Sequence, residues 1–127
     1  MRYLGIDYGG ARIGIAWSDE EETMAFPLRT IEYRVRKDAI AVLKKICGSE
    51  IAAVVIGLPI GLDGKDTDET REVRQFAADL AEAIAAPIYF ENEMLTSRMA
   101  YDAGMRRGAI DAASAAIILQ SYLDKHR

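Results

Sequence analysis

The chain has one cysteine, one histidine and three prolines in 127 residues, and each scarcity removes a class of protein. With Cys47 alone, no intramolecular disulfide can form, and a reducing compartment is expected. The lone histidine is His126, second from the end, so Ser-His-Asp and Cys-His catalysis lack an ordered base. Structural zinc needs Cys and His clusters that are absent. Phosphate-loop motifs are missing too. Gly61-Leu62-Asp63-Gly64-Lys65 lacks the Walker spacing, and Gly9-Gly10 with Gly14 is not the dinucleotide fingerprint. The longest apolar run, Ile51 to Leu62, is too short to span a bilayer and is broken by glycine and proline. Met1-Arg2-Tyr3 runs directly into a strand-like segment, so no signal peptide is expected, and a cytoplasmic protein without membrane attachment is.

Half of the residues are hydrophobic and 28% are charged, enough for one domain over 1–127 with a real core. The net charge of −4 argues mildly against nucleic acid, which favours a basic footprint. The distribution argues less strongly. Acids crowd Asp19 to Glu22 and Asp63 to Glu72, while bases gather at Arg34, Arg36, Lys37, Lys44 and Lys45, and again at Arg98, Arg106 and Arg107. Two basic surfaces on an acidic protein, or simply solvated helix faces, both fit. The acidic tract misses the EF-hand spacing and reads as a loop followed by an acidic helix N-terminus.

Residues 2–8 and 12–18 are apolar runs joined by Gly9-Gly10-Ala11, a hairpin signature. Pro27 to Tyr33 predicts a third strand. Val35, Ala39, Val42, Leu43, Ile46 and Cys47 recur at helical spacing and predict a helix over 35–47, ended by Gly48. Residues 51–58 are apolar on both faces, as a buried parallel strand is. Val73, Phe76, Ala77, Leu80 and Ile84 mark a second helix, and Pro87 to Phe90 a fifth strand closed by Glu91 and Glu93. Thr96 suits the N-cap of a third helix, and Ile110 to Leu123 an alanine-rich fourth. The order βββαβαβαα implies an α/β fold with a mixed sheet and helices on its faces.

Carboxylates on this scaffold are the chemistry that remains. Asp7 ends the first strand on the face of Tyr3 and Gly5, and the missing Gly5 side chain should leave that face open beside it. Glu93 closes the fifth strand, and Asp111 falls in the first turn of the last predicted helix. Acids from separate elements are costly to gather unless a cation neutralises them, and oxygen-only ligands select magnesium or manganese. Such a pair of ions serves phosphodiester hydrolysis. Each acid also has a plain alternative: a turn-orienting Asp7, a loop-exposed Glu93, an Asp111 favoured by the helix dipole.

GIDYGGARIGIAWSD (5–19), VVIGLPIGLDG (54–64), ENEMLTSRMA (91–100) and IDAASAAIILQSYLD (110–124) together resemble the bacterial YqgF/RuvX family. Its members are described as Holliday-junction-resolvase-like or as pre-16S ribosomal RNA nucleases. The likeness covers essentially the whole chain. It implies a ribonuclease H-like fold, with an antiparallel meander of three strands followed by parallel strands in a five-stranded sheet. It further implies a divalent-metal endonuclease that uses Mg2+ or Mn2+ and acts near the 5′ end of the precursor of the small-subunit RNA. The family's acids map onto Asp7, Glu93 and Asp111, which the resemblance makes both catalytic and metal-binding. Arg12 follows the family pattern and could contact phosphate or pair with an acid; Arg98, Arg106 and Arg107 are the further nucleic-acid-binding candidates. Asp19 also follows the pattern. Asn92 replaces a family acid and Met94 a family arginine, the latter removing a phosphate donor. Three alternatives stand beside the RNA nuclease: a junction resolvase on branched DNA, a non-catalytic protein that binds ribosomal RNA or another protein, and an actin-like ATPase lobe. A monomer or a homodimer is compatible with all of these except the resolvase, which needs two subunits.

Overall fold

The computed structural model describes residues 1–61, 63–93 and 107–126. Among them lie five strands and three helices: β1 (Arg2–Tyr8), β2 (Arg12–Ser18), β3 (Ala25–Glu32), α1 (Arg36–Cys47), β4 (Ile51–Pro59), α2 (Asp68–Ala83), β5 (Ile88–Glu93) and α3 (Arg107–Lys125). The helix expected from Thr96 lies outside the described residues. None of the described helices is long and apolar enough to cross a membrane.

The strands form one sheet in the order β3-β2-β1-β4-β5. The first three make an antiparallel meander, while β4 pairs parallel to β1 and β5 parallel to β4. The mixed sheet expected from the sequence is therefore present. β1 holds the middle position, and the 51–58 segment is an interior strand beside it. The β1–β2 turn closes with Gly9 N–H donating to the Arg12 carbonyl at 2.9 Å. Tyr33 O–H donates to the Gly9 carbonyl at 2.6 Å and fixes the same turn from β3's end. Pro27 sits in the edge strand β3, where a missing N–H is tolerated, at a register shift opposite Ile15 and Ala16.

Strand alternation separates two cores. Leu4, Ile6, Ile13, Ile15, Ile31, Val54, Ile56 and Leu58 face α1 and α2, packing with Leu43, Cys47, Val73, Phe76 and Leu80. Each fully buried large side chain contributes about 1.5–3 kcal/mol of transfer free energy. Cys47 belongs to this core, and burial pushes its thiol up to about 11, so it is unreactive packing. On the opposite face Val55 packs with Ile118, Leu119, Tyr122 and Leu123 of α3. β4 is apolar on both faces because helices cover both.

α3 is pinned along both sides. Gln120 accepts from Ala25 N–H at 2.8 Å and donates to the Thr23 carbonyl at 3.0 Å. Across the sheet, the buried Glu91 carboxylate accepts from Ser121 O–H at 2.7 Å and from Lys125 at 2.5 Å. Thr67 and Thr70 form a capping box at the start of α2, and the Thr70 hydroxyl also donates to the Pro59 carbonyl. That bond ties the N-terminus of α2 to the C-terminal end of β4.

Candidate active site

The helix on Asp7's face arrives through glycines. A Cβ on Gly5 would lie 2.8 Å from Leu119 Cβ and 2.9 Å from the Ala115 carbonyl oxygen. A Cβ on Gly14 would lie 1.8 Å from the carbonyl oxygen of Asp111. The face beside Asp7 is thus not open, as the bare Gly5 suggested; α3 fills it. The missing side chains let the helix backbone come down onto β1 and β2, and that descent delivers Asp111 to Asp7.

The register aligns these residues. Asp7 pairs with Gly14 across β1 and β2, and Gly57 pairs with Glu91 across β4 and β5. Gly5 pairs with Val55, so the next pleat sets Asp7 beside Gly57. One row across the α3 face therefore runs Gly14, Asp7, Gly57, Glu91, leaving Asp7 between two glycines. Glu93 pairs with Pro59 and ends β5 two residues after Glu91. Its backbone lies at the C-terminal end of the parallel strands, the end at which Asp7 stands on β1; its side chain lies outside the described residues.

Asp7 is an uncomfortable carboxylate. Burial, the charge of Asp111 and the charge of Glu69, in that order, push it up to about 6. Asp111 has a cation: Arg12 Nε donates to its Oδ2 at 2.6 Å. The sequence left two roles open for Arg12, and the structure gives it this acid as a partner. Arg12 and Asp111 also line a cleft of about 320 Å³ with Gly9, Gly10 and Ala11. α3 begins three residues earlier than expected, so Asp111 lies beyond its first turn. A favourable helix dipole is therefore a weak reason for an acid at 111.

Glu69, in the first turn of α2, was missed as part of this site because the acidic tract reads as a solvated helix start. Its proximity to Asp7 follows from the Thr70–Pro59 bond, which no local pattern reveals. Asp19 is a turn residue: its carboxylate accepts from Thr23 N–H at 2.8 Å, Thr23 O–H at 2.7 Å and Met24 N–H at 3.2 Å. These bonds hold it below the usual carboxylate range. Asn92 alternates onto the face opposite Glu91 and is exposed, so its lost charge does not fall on Asp7's face. Arg98, Arg106 and Met94 lie outside the described residues. Arg107 opens α3, and its side chain is also outside them.

Asp7 and Asp111 bring hard oxygen donors together on one face, the donor chemistry that a divalent cation takes. No group of three or more such acids gathers among the described residues. The third expected acid is Glu93, whose side chain is not among them.

A meander, two parallel strands and a final helix carrying an acid toward an acid on the central strand define a ribonuclease H-like fold. Solved structures agree at the level of fold. RuvC of T. thermophilus, in complex with a Holliday junction substrate, superposes with a TM-score of 0.61 at 17% identity, covering 99% of this chain and 95% of the other. Fowlpox virus resolvase with junction DNA gives 0.63 at 10% identity, covering 99% of each. The RuvX profile, described as Holliday junction resolvase, matches residues 1–125. A protein of Maridesulfovibrio salexigens named "Putative pre-16S rRNA nuclease" is 39% identical, covering 97% of this chain and 98% of its own. One of Nitratidesulfovibrio vulgaris with the same name is 43% identical over 98% and 94%. The chain belongs to the RuvX family, a nuclease and resolvase family.

Proposed function

We propose that this protein is a divalent-metal-dependent endonuclease that trims the precursor of 16S ribosomal RNA near its 5′ end, in the cytoplasm, as a monomer or homodimer. The observation that carries the reading is Asp7, raised to about 6, set between two glycines with Asp111 brought onto the same face. A buried acid crowded by two others is unfavourable for the fold alone, and this cost is relieved by a cation. Asp7, Asp111 and Glu93 would hold Mg2+ or Mn2+, which when bound supplies Lewis acidity at the scissile phosphate. Arg12 fixes the Asp111 carboxylate by one oxygen and leaves the other for a ligand. Its position on the cleft also lets the guanidinium meet a phosphate there. Arg98, Arg106 and Arg107 are assigned to the rest of the backbone contacts. The names of the full-length relatives favour ribosomal RNA over junction DNA.

The deciding experiment incubates purified protein with a 16S precursor transcript and with a four-way DNA junction, in Mg2+, in Mn2+ and in EDTA. Metal-dependent cleavage of the transcript, lost in Asp7→Asn, is expected. Binding without cleavage by the wild type would make the chain a non-catalytic RNA-binding homologue. Cleavage of the junction alone would make it a resolvase. Affinity should also fall steeply from low to physiological salt, less steeply when Arg98, Arg106 and Arg107 are neutralised. A flat salt response would remove nucleic acid as the ligand.

A further inference from the structure

Ser114 is completely buried, at 0% exposure, and its hydroxyl finds no hydrogen-bond partner among the described residues. It is the one described side-chain polar atom in that condition. Buried hydroxyls are normally matched, and a serine within a helix usually returns its proton to the carbonyl one turn back. Ser114 does not. An alanine would fit the apolar stripe of α3 without this cost, and alanines stand at 112, 113, 115 and 116.

Its place in the fold suggests what the hydroxyl serves. Ser114 lies one turn after Asp111, and the stripe it begins continues through Ile118, which clusters with Val55, to Ser121 and Lys125, which hold Glu91. One helical turn back from Ile118 moves along β4 from Val55 toward Gly57, the glycine beside Asp7 in the carboxylate row. Gly57 has no side chain with which to cover the hydroxyl. Glu91, on the other side of Gly57, takes Ser121 and Lys125 on its Oε2 and makes no bond to Ser114. The one other polar side chain of the row is that of Asp7.

We propose that Ser114 is a positioning residue of the carboxylate site, its hydroxyl hydrogen-bonding the Asp7 carboxylate or a water that Asp7 shares with the cation. The inference rests on the metal-dependent reading of that site. It accounts for a polar atom standing among alanines: the hydroxyl is unmatched among the described residues and matched when the site is loaded.

Melting curves of wild type, Ser114→Ala and the similarly sized Ser114→Cys, titrated with Mn2+ and separately with Mg2+, test it without any substrate. Ser114→Ala should melt at the same or a higher temperature than wild type without metal, since an unmatched hydroxyl is removed. It should need about tenfold more cation for the half-maximal stabilising shift, as for other groups that orient metal ligands. Ser114→Cys should fall between the two, because a thiol donates only weakly. In an Asp7→Asn background the serine change should no longer alter the cation midpoint. An unchanged midpoint in Ser114→Ala, beside a normal wild-type shift, overturns the role of Ser114 and leaves the metal site standing. A loss of metal-free stability in Ser114→Ala makes the serine structural. Absence of any shift in the wild type overturns the metal reading, and this inference with it.

Discussion

Arg12 and Asp111, 99 residues apart, are joined by a 2.6 Å hydrogen bond from Nε to Oδ2, linking the start of β2 to the last helix. Both side chains are about three-quarters shielded. The bond keeps Asp111's charge next to Asp7 while offsetting part of it. Arg12→Ala should therefore cost about 1–3 kcal/mol of stability at neutral pH, the range for a hydrogen bond to a charged group. It should also move the Asp7 titration upward, because Asp111 then acts unopposed. Chemical denaturation and a carboxyl-resolved NMR titration check the two halves. A titration of Asp7 that does not move would mean that Arg12 serves the fold alone.

Gly14 and Gly10 provide a matched pair of substitutions. A Cβ at Gly14 would strike the Asp111 carbonyl at 1.8 Å, whereas one at Gly10 meets nothing within 4 Å. Gly14→Ala must lift the start of α3 off the sheet, at about 3 kcal/mol or more. Gly10→Ala should stay within about 0.5 kcal/mol of wild type, as surface changes do. Equal melting temperatures for the two variants would contradict the close helix–sheet approach that builds the site.

These glycines also mark how far the sequence could be read. The strands and their order were legible because the apolar runs at 2–8 and 12–18 with their glycine turn, the double-faced run at 51–58 and the helical spacing of 35–47 are local signals. The acids were legible by elimination and by resemblance, and Asp7 and Asp111 do come together. What could not be read was how they meet. Gly5 looked like an opening, because a sequence cannot distinguish a missing side chain that leaves space from one that admits a helix. Glu69 and the Arg12 pairing depend on tertiary contacts through Thr70 and α3, and no spacing encodes those. β5 runs three residues past its apolar part because Glu91 is neutralised from α3, so polar residues there did not end the strand.

The pH dependence of stability follows from Asp7. Its carboxyl titrates near 6 in the folded protein against 3.8 ordinarily, so the folded state binds the extra proton between these values. Stability from this group is fully present below about pH 4 and is lost as pH rises through 6. The difference corresponds to at most about 3 kcal/mol. Asp7→Asn cannot ionise and should be more stable than wild type at pH 8, by about 1–3 kcal/mol in metal-free buffer. The advantage should vanish by pH 4. Bound cation reverses the order, since it stabilises only the ionised wild type. A variant less stable than wild type at pH 8 without metal would mean that Asp7 is held by contacts rather than strained by charge.

Glu91 and Glu93 stand two residues apart on β5, and replacing each should have a different effect. Glu91 is 5% exposed and takes both Ser121 and Lys125 on Oε2, so it fastens α3 to the sheet edge. Glu91→Ala removes that anchor and leaves the Ser121 hydroxyl unmatched, at about 1–3 kcal/mol. Its metal-induced rise in melting temperature should remain, because neither partner of Glu91 belongs to the proposed metal site. Glu93 ends β5 level with Pro59, at the same end of the sheet as Asp7. Glu93→Gln keeps the size of the side chain and removes only its charge, so metal-free stability should stay within about 0.5 kcal/mol. It should lose cleavage and most of the metal-induced shift, since an amide is a poorer ligand for a hard cation than a carboxylate. Melting curves with and without Mn2+, run beside transcript cleavage, separate the two residues. If Glu93→Gln keeps both the shift and the cleavage, the third acid of the site is another residue, and Glu69, already close enough to raise Asp7, is the next to replace.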